Sequence, residues 1–271
     1  MVATTIAGAL RDSGLDAMDA RALLRHVIGC DEAWLISHPA RQLSAKEQEA
    51  YANLRARRAA GEPVAYLTGE REFYSLAFNV TPAVLIPRPE TELLVEAALE
   101  RLPVDIPLRV LDLATGSGCV AVTIARQRPR SMVTATDISR EALAVARGNA
   151  ARHGASFEFV ESDWFAALAG RCFDLMVANP PYIAAGDAHL SAGDLRFEPR
   201  AALVAGPIGR ECIEVIVEEA PPHLAPGGRL LFEHGYDQGP CARALLAARG
   251  FQEIVTLRDL AGRERVSGGR V

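Results

Sequence analysis

Between residues 4 and 60, apolar side chains recur at steps of three and four. In DAMDARALLRHVIG, Ala17, Ala20, Leu24 and Ile28 share one helical face. SAKEQEAYANLRARR opens with Ser44 and Glu47 at the spacing of a capping box. The spacing predicts a small helical bundle. After Gly61 and Pro63 the period shortens, and REFYSLAFNV followed by AVLI predicts two short strands forming a hairpin, with a domain boundary near 62–85. From Pro89 the stretch ETELLVEAALERL reads as a helix leading into alternating units. Strands are predicted at 108–113, 131–136, 156–161, 173–178, 227–233, 250–256 and 264–269, and helices at 117–127, 139–151, 208–220 and 238–249. That alternation predicts a mostly parallel sheet covered on both faces. The domains expected are a helical one at 1–70, a hairpin linker at 71–88 and an α/β domain at 89–271.

Residues 184–206 break the rhythm, and a connection that long directly behind a strand tip reads as a functional loop. Just ahead of it stands VANPPYI (177–183), where two prolines stop an apolar strand.

Composition narrows the classes. The 271 residues are 49% hydrophobic and 23% charged, ordinary for a folded globular protein with a sizeable core. A net charge of −5 argues against a surface that grips a phosphate backbone, so no direct nucleic-acid binding is expected. Five scattered cysteines (Cys30, Cys119, Cys172, Cys212, Cys241) lack C-x-x-C spacing, which argues against a disulfide framework or zinc site and for a reducing cytoplasm. No basic leader and no long apolar run is found, so neither signal peptide nor membrane span is expected. The six histidines show no ligand spacing, so no metal is expected, and His234 reads as a structural hydrogen-bonding residue.

VLDLATGSGCVAVTIA runs strand, glycine turn, helix, and Gly116 and Gly118 let the backbone approach a ligand at a helix N-terminus. Gly116 to Ala121 also satisfies G-x-G-x-x-A, with Asp137 at the distance of a ribose-binding acid, so a nicotinamide cofactor and S-adenosylmethionine both fit this segment. Asp112, ahead of the turn, could hold the loop amides or a cationic amino group, which only the second ligand carries. Asp163 could bind an adenine amino group, and Trp164 could stack on the adenine or anchor the core.

Open parallel sheets bind ligands beyond the carboxyl ends of their strands, which places Asn179 to Tyr182 beside the glycine turn. Prolines 180 and 181 have no N–H, leaving carbonyls free of a ladder. A planar amide or exocyclic amine is a poor nucleophile. The Asn179 side-chain oxygen and the Pro180 carbonyl can each accept one of its N–H groups, fixing the nitrogen in line with a methyl donor. Hydrogen bonds to the emerging cationic nitrogen strengthen in the transition state. Tyr182 is expected to pack its ring on the acceptor plane. The motif selects a class of planar nitrogen, adenine N6 included; a non-catalytic methyltransferase-like module is the alternative outside enzymes.

With these residues in view, the chain resembles the bacterial glutamine N5-methyltransferases that modify class I peptide release factors, the PrmC or HemK family. The resemblance runs through GEPVAYLTGEREFYSLAFNV, LIPRPETE (85–92), DLATGSG (112–118), SDWF (162–165), NPPYI, DLRFEPRAAL (194–203), FEHGYDQG (232–239) and GRERVSGG (262–269). It implies a Rossmann-like, seven-stranded class I methyltransferase domain, S-adenosylmethionine as cofactor, and release factors as partners that dock on the helical domain of a monomeric enzyme. It further implies cofactor contacts at Asp112, Ala114, Thr115, Gly116, Ser117, Gly118, Asp137, Ile138, Asp163, Trp164 and Asn179. The substrate glutamine, from a Gly-Gly-Gln loop, would meet Asn179, Pro180, Pro181 and Tyr182, with Arg88 and Glu90 lining or bracing the cleft. Ala114 departs from the glycine usual in such enzymes, and a β or bridge conformation is expected to accommodate its methyl group.

Overall fold

A computed structural model describes residues 4–271. The chain forms two compact units. One comprises the residues up to Glu70 with Ser191–Phe197, the other Arg71–Leu190 with Glu198–Val271.

The first unit holds α1 (Ile6–Arg11), α2 (Ala17–Ile28), α3 (Glu32–Ser37), α4 (Ala45–Ala59) and α5 (Val64–Thr68). The side chains of Thr5, Asp16, Asp31 and Ser44 each accept a backbone N–H at the start of a helix, so four of the five begin at a side-chain cap. At Ser44 the capping box is closed, with the Ser44 N–H donating to Glu47 at 2.7 Å and the Glu47 N–H donating back to Ser44 Oγ at 3.3 Å. Arg41 also binds Glu47, and its guanidinium holds the Glu47 carboxyl down at about 2. The helices bury Ile6, Leu23, Leu24, Leu35, Tyr51 and Leu67 in one cluster. Residues 191–197 belong here through Arg58, which binds Asp19 at 2.6 Å and Asp194 at 2.8 Å.

The second unit opens with a hairpin of β1 (Glu70–Phe73), whose first residue still counts with the first unit, and β2 (Leu76–Asn79). Both strands of the hairpin fall in EREFYSLAFN (70–79), and AVLI forms no strand, contrary to the sequence expectation. The turn at Tyr74 and Ser75, both left-handed at φ 51° and 59°, carries no glycine or asparagine to announce it. Carboxylates hold it instead: Glu92 accepts the Tyr74 N–H at 2.8 Å and Glu72 the Ser75 N–H at 2.7 Å.

There follow α6 (Glu92–Leu99), β3 (Arg109–Leu113), α7 (Cys119–Gln127), β4 (Met132–Asp137), α8 (Arg140–Arg152), β5 (Glu158–Glu161) and β6 (Phe173–Ala178). The chain continues through β7 (Ile183–Ala184), β8 (Val204–Gly206), α9 (Glu211–Glu219), β9 (Leu224–Glu233), α10 (Gly239–Ala248), β10 (Gln252–Arg258) and β11 (Glu264–Arg270). Seven strands form the main sheet in the order β10-β11-β9-β6-β3-β4-β5, parallel except for β11, which runs antiparallel to both neighbours. Alternation along the strands feeds two cores. Val110 and Val177 join Leu94, Val95 and Val120 on one face, while Leu111, Leu113 and Met176 join Ile213, Ile216 and Leu246 on the other. The architecture is the Rossmann-like α/β fold expected. The tips of β9, β6, β3 and β4 thereby lie side by side, carrying Glu233, Asn179, Ala114 and Asp137.

Candidate active site

A cavity of about 370 Å³ opens at these tips. Its walls are the stretch from Ala83 to Thr91, the turn after β3, Asp137 and Ile138 beyond β4, Asp163 and Trp164 beyond β5, and Asn179 and Pro181 beyond β6.

Asp112 ties the glycine turn together from below. It is 2% exposed and its Oδ2 accepts the Thr115 hydroxyl at 2.6 Å and the Ala121 N–H at 3.2 Å. Burial pushes its carboxyl up to about 7 against the pull of those two bonds. Ala114 corrects an expectation: it stands at φ 56°, in the left-handed region rather than in a β or bridge conformation. The turn dictates this conformation, and the alanine adopts it at the cost of strain.

The two glycines serve different ends. Gly116, at φ 55°, would offer a Cβ nothing within 4 Å, and its N–H donates to Asp137 Oδ2 at 2.9 Å. Gly118, at φ 79°, caps α7, and a Cβ there would stand 3.0 Å from Ala146 Cβ on α8. Gly118 accordingly lies outside the cavity wall and permits helix packing. Asn149, which the sequence did not single out, stitches the turn to the hairpin: its Nδ2 donates to Ser117 O at 2.8 Å and Asn79 O at 2.9 Å.

Asp137 ends β4 with both oxygens engaged, Oδ1 by the Ser139 N–H and Oδ2 by the Gly116 N–H, each at 2.9 Å. Every carboxylate oxygen has a second lone pair, so the pair is fixed in place and still able to accept. Burial raises its carboxyl. Ile138, 63% exposed, forms the rim, and Trp164, at φ 44°, both lines the cavity and packs on the second core.

At the NPPY segment the amide of Asn179 donates through Nδ2 to Thr91 Oγ1 at 3.0 Å. Among the described residues nothing donates to Asn179 Oδ1 or to the Pro180 carbonyl. Two acceptors of one tetrapeptide are thus bare. Pro180 itself is buried, and Tyr182 does not line the cavity. The Tyr182 ring packs on the second core and its hydroxyl donates to Glu233 Oε1 at 3.2 Å, because that buried carboxylate and an apolar cluster offer the phenol both of its needs. Gln238 clamps the segment's end, donating to Tyr182 O at 3.1 Å and Gly209 O at 2.9 Å, and β7 pairs with β8 beyond it.

Arg88 lines the cavity and pairs with Glu198, whose other oxygen accepts the Ile86 N–H at 3.0 Å. It both lines and braces. Glu90 is half-buried and absent from the cavity wall, its charge bearing on Glu233 and Arg265. Thr91, Glu198 and Glu233 were missed as site residues, because each acts through a partner far away in sequence. His234 is buried between Gly235 O and Ser267 Oγ, both at 2.8 Å from its ring nitrogens. The five cysteines are free, and among the described residues no His/Cys/Asp/Glu group suits a metal. No helix of the described residues is long and apolar enough to cross a membrane.

Comparison with known proteins gives these features a family. Residues 4–69 match the PrmC N-terminal domain and residues 90–201 the methyltransferase small domain. The chain is 51% identical to the release factor glutamine methyltransferase of Bordetella pertussis over 98% of this chain and 99% of that protein. It is 52% identical to the Burkholderia pseudomallei protein of the same name, over 98% and 96%. A solved T. thermophilus 16S rRNA N2 G1207 methyltransferase, in complex with AdoMet and guanosine, shares the fold at a TM-score of 0.55 and 22% identity, covering 74% of this chain and 49% of that one. With an NPPY segment beside a glycine turn, and near-full-length identity at about half of all positions, the chain belongs to the release factor glutamine methyltransferase family.

Proposed function

We propose that this chain transfers the methyl group of S-adenosylmethionine to the side-chain amide nitrogen (N5) of the glutamine in the Gly-Gly-Gln motif of class I peptide release factors. The observation that carries the reading is the pair of bare acceptors, Asn179 Oδ1 and the Pro180 carbonyl, in a segment whose Asn179 and Pro181 line a cavity floored by a glycine turn.

The residues fit the cofactor. Asp137 presents accepting lone pairs suited to a ribose diol, and Trp164 and Ile138 offer apolar surface for adenine. Buried Asp112 gains most from a cationic amino group, which restores the charge that burial disfavours. Bound there, S-adenosylmethionine would supply an electrophilic methyl on a sulfonium, the carbon–sulfur bond pair leaving with the sulfur as a neutral thioether.

The chain's part is to orient the acceptor. A glutamine amide carries two N–H groups, and Asn179 Oδ1 and Pro180 O can take one each. Those bonds aim the nitrogen and withdraw nothing from its lone pair. As the nitrogen forms its bond to carbon it turns cationic, and the same two bonds tighten. The product nitrogen then sheds one proton, an acidic one, to water, so no buried base is required. The helical unit, with residues 191–197, is the proposed docking surface for the release factor.

Asn179→Ala tests the assignment. Cofactor binding by calorimetry stays within about threefold, and methyl transfer to release factor falls by roughly 100-fold or more, the scale of losing one transition-state hydrogen bond. Unchanged turnover contradicts the catalytic role.

A further inference from the structure

We infer that Gln238 is a positioning residue for the acceptor nitrogen: by holding the Tyr182 and Gly209 carbonyls together, its side-chain amide fixes the far end of Asn179–Tyr182 and with it the aim of the Pro180 carbonyl. This deepens the proposed methyl-transfer reading and rests on it.

A proline pair cannot fix itself. Pro180 and Pro181 have no N–H to give, so the Pro180 carbonyl is aimed by the ring-locked φ of Pro181 and by whatever holds the chain on either side. On the near side β6 holds it, with Ala178 paired to Leu113 and Phe232 and with Asn179 Nδ2 bound to Thr91 Oγ1 at 3.0 Å. On the far side the chain has left the main sheet. There the Tyr182 ring is anchored through its hydroxyl on Glu233, the Ile183 N–H donates to Leu203 O at 3.0 Å, and the Tyr182 carbonyl is taken by Gln238 Nε2 at 3.1 Å.

The Gln238 amide has one orientation that satisfies its neighbours. The Gly235 N–H can only donate, so it meets Oε1, at 2.8 Å. The Tyr182 and Gly209 carbonyls can only accept, so each takes one proton of Nε2, at 3.1 and 2.9 Å. A glutamate of the same length has no proton to give, and an asparagine is one methylene short. Gln238 thereby joins the turn after β9, the NPPY segment after β6 and the loop after β8.

Gly209 completes the clamp. It stands at φ 81°, and a Cβ there would lie 2.8 Å from Ala184 N and 3.0 Å from Tyr182 O, so its loop rests directly on the backbone that follows NPPY. Glu211 holds that loop, accepting the Ile208 N–H at 2.8 Å and the Arg210 N–H at 2.9 Å. The Tyr182 carbonyl is thus confined by two residues that do not line the cavity. Without the Gln238 protons the two carbonyls face each other unscreened and move apart. The Pro180 carbonyl then loses its spacing from Asn179 Oδ1, the spacing that lets one planar nitrogen donate to both. The near end, held by β6, stays in place beside the cofactor.

The test compares wild type with Gln238→Glu and Gln238→Met in methyl transfer to purified release factor, both substrates saturating, with kcat expressed per cofactor-binding site titrated by calorimetry. Gln238→Glu keeps the acceptor for Gly235 and loses both donors. Its kcat falls roughly 10- to 100-fold, the scale of a misplacement of about 1 Å, while its cofactor Kd stays within about twofold. Gln238→Met removes all three bonds without adding charge, shows a similar split, and carries the comparison if the charged variant does not fold. Wild-type kcat in either folded variant overturns the inference, as does a loss of cofactor affinity as large as the loss of kcat. A turnover-free readout is the Pro180 carbonyl itself. Only Pro180 and Pro221 precede a proline, so protein carrying 13C-carbonyl, 15N-labelled proline gives two one-bond carbonyl–nitrogen correlations. The Pro180 signal shifts in Gln238→Glu and the Pro221 signal does not; a Pro180 carbonyl indifferent to Gln238 overturns the inference. An inactive wild type whose Pro180 signal still answers to Gln238 counts against the proposed substrate and not against the positioning.

Discussion

Glu198→Ala removes a buried carboxylate that serves two partners on the far side of the sequence. Glu198 has a fully buried side chain; Oε2 accepts the Ile86 N–H at 3.0 Å and Oε1 takes the Arg88 guanidinium. Ile86 is 3% exposed, so its N–H is left without protein or bulk water, a loss of about 1–3 kcal/mol. The Arg88 side chain is 30% exposed and regains part of its hydration, so losing that bond adds only about 1 kcal/mol. The sum, about 2–4 kcal/mol, overlaps the range for breaking one side of a buried ion pair. Glu198→Gln keeps an oxygen for the Ile86 N–H but turns an NH2 toward Arg88, losing the charge and that one bond, at a cost of about 1–2 kcal/mol. Equilibrium urea unfolding at pH 7 without cofactor measures both. Because Arg88 and the stretch from Ala83 to Pro87 form a cavity wall, cofactor affinity weakens in the same order. An alanine cost below about 0.5 kcal/mol, the level of an ordinary surface change, refutes the reasoning. So does a glutamine as damaging as alanine.

Ala114→Gly relieves a left-handed alanine worth about 1–2 kcal/mol and gives back about 0.4–1 kcal/mol of unfolded-chain freedom; the variant melts about 1–4 °C higher and still binds cofactor. A lower melting point contradicts the strain. Asp112 is raised to about 7 in the fold, so its contribution to stability is full below about 3.8 and fades as pH rises through about 7. Asp112→Asn, which keeps an acceptor for Thr115 and Ala121, therefore gains on wild type by several kcal/mol between pH 4 and 8 in urea titrations; a constant difference refutes the assignment. Ser44→Ala opens the capping box and costs about 1 kcal/mol in the same assay, and no loss contradicts it.

The sequence exposed those features whose causes are local. The β3–α7–β4 alternation, the Ser44–Glu47 box and the glycine turn each depend on neighbours within a few residues, and each is present. The hairpin turn at Tyr74–Ser75 was misplaced because carboxylates of Glu72 and Glu92 hold it in place of a turn residue. The β7–β8 pair is too short to produce a period. The expected β or bridge conformation fails at Ala114 because its backbone angle follows from the turn it occupies and leaves no mark in composition. Site residues with a motif of their own, Asp112, Asp137 and Asn179, all line the cavity. Thr91, Glu198 and Glu233 act on residues 88, 112 and 51 positions away, a distance no local pattern spans.

The central claim is that the two bare acceptors of NPPY present a glutamine amide for methylation. Its most direct measurement is fragmentation mass spectrometry of the Gly-Gly-Gln peptide from a class I release factor incubated with this protein and S-adenosylmethionine. The account predicts one added methyl on the glutamine side chain with wild type and essentially none with Asn179→Ala. An unmodified glutamine in the presence of bound cofactor, or equal methylation by the variant, contradicts it.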